Sequence, residues 1–417
     1  KNSAKVHIKT FKNSGTIESK NNGNYAIVLK PKNDSGTISI ENFNNDGTIK
    51  GDIAISSRNN GTITVGTFDN KKTIDGYIFM PTGNQNTGTI SIENFTNTGT
   101  ITSKDENNPA VYFQGNNVHI KTFENTGFIS GSADNMKHFT HQNFNVSGGV
   151  SMSDGTIETF INKGTIKSTG KNYNPAGVKL NWATVNTFEN TGLISGLNGI
   201  LVTGGTIETF KNSGTIESKE SKGNHDGKEA AIKIRAENNN PFSIAHFTNE
   251  GTIKSDFDGV LIESGNKIET LTNKGTIETK LNGISFFGHG PGASPDNADL
   301  GKIILEKDSS IKAGNNGINI NNQTTARSIR VGGIEVQKGA SVVGREAGIY
   351  LGESKEITAP ITISGTVSGG NAGIVNEGRM AKGIVHEGED ELVISNQGLV
   401  GKDEKGNTVT NNKGSVT

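Results

Sequence analysis

The sequence predicts an all-β chain wound as a right-handed parallel β-helix, a repeat solenoid of about 13–14 three-strand coils. Three observations predict it. A motif of the form I-x-x-F-x-N-x-G-x-I recurs along the chain at a mean spacing of about 29 residues. Glycine supplies 56 of 417 residues against 31% hydrophobic residues, which leaves little bulk for an oily globular core. Finally, no segment sustains the 3.6-residue apolar period of an amphipathic helix.

The first element is set by Ile8, Phe11, Asn13, Gly15 and Ile17. Its asparagine returns at Asn45, Asn70, Asn97, Asn125, Asn162, Asn190, Asn212, Asn249 and Asn273. Phenylalanine stands two residues before the asparagine in every copy but the last, which carries Leu271; Lys72 replaces the glycine once. A second motif follows each copy, a small residue and then an apolar-x-apolar triplet. Ala26-Ile27-Val28-Leu29, Gly76-Tyr77-Ile78-Phe79, Gly177-Val178-Lys179-Leu180, Gly259-Val260-Leu261-Ile262 and Gly283-Ile284-Ser285-Phe286 are examples. Each period therefore holds three short apolar stretches separated by Asn/Gly turns, one coil of the solenoid.

Stacking at ~4.8 Å per coil puts each repeat residue above its counterpart. Phe11, Phe43, Phe123, Phe160, Phe188 and Phe210 are expected to form an interior ring ladder. Asn13, Asn45, Asn125, Asn162, Asn190 and Asn212 are expected to form an asparagine ladder at a turn. The glycine two residues on supplies either a positive φ or room for close backbone approach. The residue after the final Thr-Ile should face solvent, and it varies in sign: Glu18, Lys50, Asp75, Lys167, Glu217, Lys254. The first copy, around Val6–Phe11, presents an open strand edge unless something caps it.

Regular repeats occupy 1–287, with long loops expected at 131–154 and 218–241, where the spacing stretches. A Gly/Pro-rich loop covers 288–299. Diverged coils fill 300–417, where Gly317-Ile318-Asn319-Ile320, Ala347–Leu351 and Ala372–Val375 keep only the second motif. Two solenoids hinged near 288–298 are the alternative organisation.

Composition bounds the chemistry. A net charge of −1 lacks the positive field that nucleic acid requires. The absence of cysteine excludes disulfides, thiolate metal sites and cysteine nucleophiles. No apolar run approaches the ~20 residues of a membrane-spanning helix, and the start, without Met or a signal-like stretch, fits a processed or excised piece. Gly288-His289-Gly290 matches a polygalacturonase fragment, but the carboxylate pairs of glycoside cleavage are missing. His138 and His141 have metal-ligand spacing without a third ligand. The acidic run Glu387–Glu391 lacks the register of calcium-binding β-rolls. Lys50-Gly51-Asp52 superficially matches an integrin tripeptide at a repeat edge, and Trp182 and Tyr173 flank the Val178 strand as a pair able to stack on a sugar ring. No enzyme, cofactor or metal is therefore expected. Met136, His138, His141, His225 and Asp226, in the two long loops, are the candidate binding residues.

The F-x-N-x-G-x-I repeats, such as Phe160-Ile161-Asn162-Lys163-Gly164-Thr165-Ile166, resemble the passenger domains of Gram-negative type V autotransporters, strongly over roughly 5–280 and weakly over 300–417. The resemblance implies export through the outer membrane to the cell surface or medium, with a signal peptide before such a segment and a translocating barrel after it. It also implies a non-catalytic adhesin for a host cell-surface protein or glycan, or for matrix. The alternative is homotypic cell–cell aggregation; a toxin-like passenger and a carbohydrate-active β-helix enzyme rank below both.

Overall fold

Each motif copy folds as one long strand, a tight corner and one short strand, and the small-apolar-x-apolar triplet forms a third strand. The computed structural model describes residues 4–417 apart from 21–24, 32–34, 58, 83–86, 107, 133–147, 172–173, 221–227, 236–240, 264, 288–297, 322–328, 354, 403–405 and 412–414. The strands pair in parallel with their counterparts one coil away, which makes the fold a parallel β-helix solenoid. Two units divide at Leu201/Val202. Among the described residues no helix is long and apolar enough to cross a membrane.

In the first unit the long strands are Lys5–Asn13, Thr37–Asn45, Thr62–Asn70, Thr89–Asn97, Val118–Asn125, Thr156–Asn162 and the end of Ala176–Asn190. Their register sets phenylalanine on phenylalanine and asparagine on asparagine at every step. Phe11, Phe43, Phe68, Phe95, Phe123, Phe160 and Phe188 stack with centroids 4.6–5.0 Å apart and ring planes within 16°. That spacing is the coil rise itself, so the offset-stacked geometry aromatic pairs favour comes free with the fold.

The asparagine column is a chain of amide hydrogen bonds. Nδ2 of Asn13, Asn45, Asn70, Asn97, Asn125 and Asn162 each donates to Oδ1 of the next asparagine at 2.7–2.8 Å. Each asparagine carbonyl also accepts main-chain N–H groups from the coil above, as Asn97 does from Thr126 and Gly127. The buried turn thereby satisfies both its side-chain and main-chain polar groups.

The motif glycine works by close approach. A Cβ on Gly47, Gly99, Gly127, Gly164 or Gly192 would stand 2.1 Å from the carbonyl oxygen one coil below. None of these has a positive φ. Where Lys72 takes the position, the bond to the coil below is longer, Thr73 N to Gly47 O at 3.2 Å against 2.8 Å for Thr48 N to Gly15 O, while Thr100 N to Lys72 O above is shorter at 2.6 Å.

In the second unit the ladders continue through Phe210–Phe247, 4.7 Å apart, and through Asn212, Asn249 and Asn273. The long-strand register then runs on through Ala298–Leu305, beyond 288–297. Leu271 pairs with Ile303, and Asn273 with Leu305; Ile334 and Val336 follow, then Ile361 and Ile363. Buried aliphatics thus replace both ring and amide. The third strand survives better, because Gly259, Gly283, Gly317 and Gly348 each lie where a Cβ would meet the next glycine's carbonyl at 2.5–2.8 Å.

Val150–Ser153 and Ala230–Arg235, inside the two long intervals, are regular third strands paired in the sheet. Those parts of the two intervals therefore belong to the coil and not to a loop.

Candidate binding surface

Alternate residues of a strand face opposite sides. The triplet's outer residues Ile27 and Leu29 point inward, so its middle residue points out. Register stacks these middle residues in the first unit as Val28, Ala54, Phe79 and Tyr112. All four are apolar or aromatic where a solvated face would carry polar groups. A second column lies beside it: Tyr25 pairs with Asp52, and Ile53 N donates to Tyr77 O at 2.9 Å, which sets Tyr77 one coil further.

The two columns make one aromatic patch. Tyr25 and Tyr77 meet edge to face, centroids 6.1 Å apart at 75°, and Tyr77 and Phe79 do so at 6.5 Å and 61°. Phe79 stacks on Tyr112 at 5.3 Å and 16°. Tyr25 is 41% and Val28 55% exposed, Tyr77 and Phe79 are half-buried, and Tyr112 is buried. Tyr25 and Tyr77 stand two coils apart yet lean together over the coil between them, where the Tyr77 hydroxyl donates to the Tyr25 oxygen at 3.4 Å.

Asp52 sits under that bridge, only 8% exposed. Its Oδ1 accepts the Tyr77 N–H at 3.0 Å, and among the described residues no partner reaches Oδ2. Burial pushes the Asp52 carboxyl up, partly offset by that N–H, and the neighbouring Asp105 adds to the rise. Burial also pushes the Tyr77 phenol far up, followed by its hydrogen bond with Tyr25. Tyr77 therefore stays a neutral hydroxyl group at physiological pH.

The other candidates divide into those among the described residues and those outside them. Met136, His138, His141, Tyr173, His225, Asp226 and His289 lie outside the described residues. Asp52 of the Lys-Gly-Asp tripeptide is covered by the tyrosine bridge, while Lys50 pairs with Glu18 at 3.4 Å. The acidic run disperses: Glu387 accepts from Ser364 at 3.1 Å, Glu389 pairs with Lys338 at 3.7 Å, and Glu391 accepts from Thr417 at 3.0 Å. Among the described residues no three His, Asp or Glu side chains gather as a metal site would require. Trp182 occupies a one-residue corner with φ 49°, in the column of Gly115 and Asp154, which also have positive φ. In a bulky residue this conformation is strained. In the second unit a groove of about 510 Å³ is lined by Lys355, Glu356, Glu377, Arg379, Gln397 and Leu399. Its charges are engaged, Glu356 with Arg379 at 3.5 Å and Arg330 at 3.8 Å, and Glu377 with the Tyr350 hydroxyl at 2.6 Å.

The aromatic patch was missed by motif reasoning, although its signal lies in the sequence. By register the middle position holds Val28, Ala54, Phe79 and Tyr112, then Ser151 and Lys179; the triplet after Gly76 is Ile78-Phe79-Met80, one residue later than the sequence pattern places it. A contiguous exposed apolar patch, and not a single outward residue, marks a contact surface. No family model, curated protein or solved structure matches the chain.

Proposed function

We propose that this chain is a non-catalytic adhesin, the passenger of a type V autotransporter, displayed on a bacterial surface or released from it to bind host cells. The outward aromatic patch of the first unit, together with the two long loops, is its contact surface. The observation that carries the reading is the exposure of Tyr25 and Val28 beside Tyr77 and Phe79 on a solenoid face. Repeat-constrained residues are consumed by the ladders, and a β-helix with no task for its outer face has no reason to expose aromatic rings there. The repeat resemblance supplies the export route and the setting.

The test is binding of the labelled protein to cultured epithelial cells, with unlabelled protein as competitor. Saturable, competable binding is expected, reduced at least about tenfold by Val28→Ser with Phe79→Ser, as for loss of a hot spot. Circular dichroism of the variant should match that of the parent. Absence of competable binding would overturn the adhesin reading.

A further inference from the structure

We propose that Tyr25, Asp52, Tyr77 and Phe79 form a subsite for a neutral hexopyranose of a surface glycan; this rests on the adhesin reading and names its ligand class. A pyranose offers an apolar C–H face and a rim of hydroxyl groups that both donate and accept. The patch matches each part. Tyr25 offers an exposed ring to the C–H face, with the Tyr77 ring set edge to face beside it and Phe79 edge to face beyond.

The polar complement is present beside the rings. The Tyr25 oxygen accepts from Tyr77, which leaves its own O–H proton to donate outward. Asp52 is more than nine-tenths buried, yet one carboxylate oxygen has no partner among the described residues. A carboxylate oxygen that no protein donor occupies is an acceptor open to a ligand hydroxyl. One donor and one acceptor flanking an aromatic face is a demand that a sugar's adjacent hydroxyls meet.

Charge narrows the class further. The charged groups that act on Tyr77 are Asp52 and Asp105, both acidic. Lys104, the cation beside this corner, lies 3.9 Å from Asp75. Sialylated and sulfated glycans would bring negative charge against negative charge, a penalty that excludes them as preferred ligands. A cationic peptide is the competing occupant of an acidic aromatic surface; it would need several acceptors for each ammonium, and the patch offers one carboxylate oxygen.

The experiment is titration of the whole chain against immobilised neutral oligosaccharides of glucose, galactose and mannose, with sialylated and sulfated counterparts and a polylysine peptide alongside. Saturable binding to at least one neutral glycan is expected. Tyr25→Ala should weaken it about tenfold, Tyr25→Phe less, and the isosteric Asp52→Asn several-fold with no loss of thermal stability. Preference for anionic glycans or polylysine, or neutral-glycan binding untouched by Tyr25→Ala and Asp52→Asn, would overturn the assignment. The cell-binding assay run in parallel separates the two claims. Competable cell binding without neutral-glycan binding sinks the glycan subsite alone, whereas neutral-glycan binding without cell binding supports the subsite and sinks the host-cell reading.

Discussion

Asn125 shows what one repeat residue does. Its amide accepts from Asn97 and donates to Asn162 at 2.8 Å, and it also lies 3.3 Å from the Gly127 and Thr165 carbonyls. Asn125→Ala strips a donor from one neighbour and an acceptor from the other inside a buried turn. We expect a loss of about 1–3 kcal/mol in thermal or denaturant unfolding. Asn13 has a side-chain amide on one side only among the described residues, so Asn13→Ala should cost less than Asn125→Ala. Both ladders were legible in the sequence because a solenoid turns repetition directly into contact: a residue recurring each period must touch itself. Asp52 and the tyrosines were not legible that way. Tyr25 belongs to no motif position, Tyr77 was read only as an apolar residue of the second motif, and they meet only because coil stacking brings residues 52 apart to within one hydrogen bond.

At the scale of elements, the third strand explains why the C-terminal coils persist after the asparagine motif ends. Its small residue is a steric requirement, and Gly283, Gly317 and Gly348 meet it whatever the ring and amide columns contain. Leu305, Val336 and Ile363 then fill the amide column with aliphatics, which need no partner. That substitution was hidden from motif counting, since aliphatics in place of Phe and Asn erase the pattern while keeping the packing.

Asp258 opens one of these third strands in the second unit. It accepts from Ser285 Oγ at 2.5 Å and from the Asn282 main-chain N at 2.9 Å, yet burial outweighs both and pushes its carboxyl up. A folded pKa above the unfolded value means the folded state holds the proton more tightly. Its contribution is fully present below the unfolded value near ~3.9 and is lost as pH rises through the raised folded value. Asp258→Asn keeps an acceptor for Asn282 and removes the buried charge. Melting curves should show the variant gaining on the parent at pH 7, with the gap narrowing toward pH 4. A pH-independent gap would contradict the raised carboxyl.

For the whole molecule, stability is a sum of coil terms and neighbour terms, so a defect is felt locally. Hydrogen exchange on Asn125→Ala should accelerate in the rungs that bracket it, Thr89–Asn97 to Thr165–Ser168, while Phe242–Asn249 and Thr276–Thr279 exchange as in the parent. Uniform acceleration across the chain would mean that the coils unfold as one cooperative body.

The amide column also has a direction. Within each unit every link donates from the earlier coil to the later one, from Asn13 towards Asn162 and from Asn212 towards Asn273. The column is therefore a polar rail, with an acceptor offered at its start and a donor at its finish, and its dipoles reinforce one another. At its finish the coil beyond Asn273 carries Leu305 in the column, and the last Nδ2 turns instead to the Gly275 and Ser310 main-chain carbonyls at 3.0 and 3.4 Å. An inverted coil would bring donor against donor. Growth of such a stack is thus templated in sense as well as in register, much as a zip fastener accepts its slider from one end only.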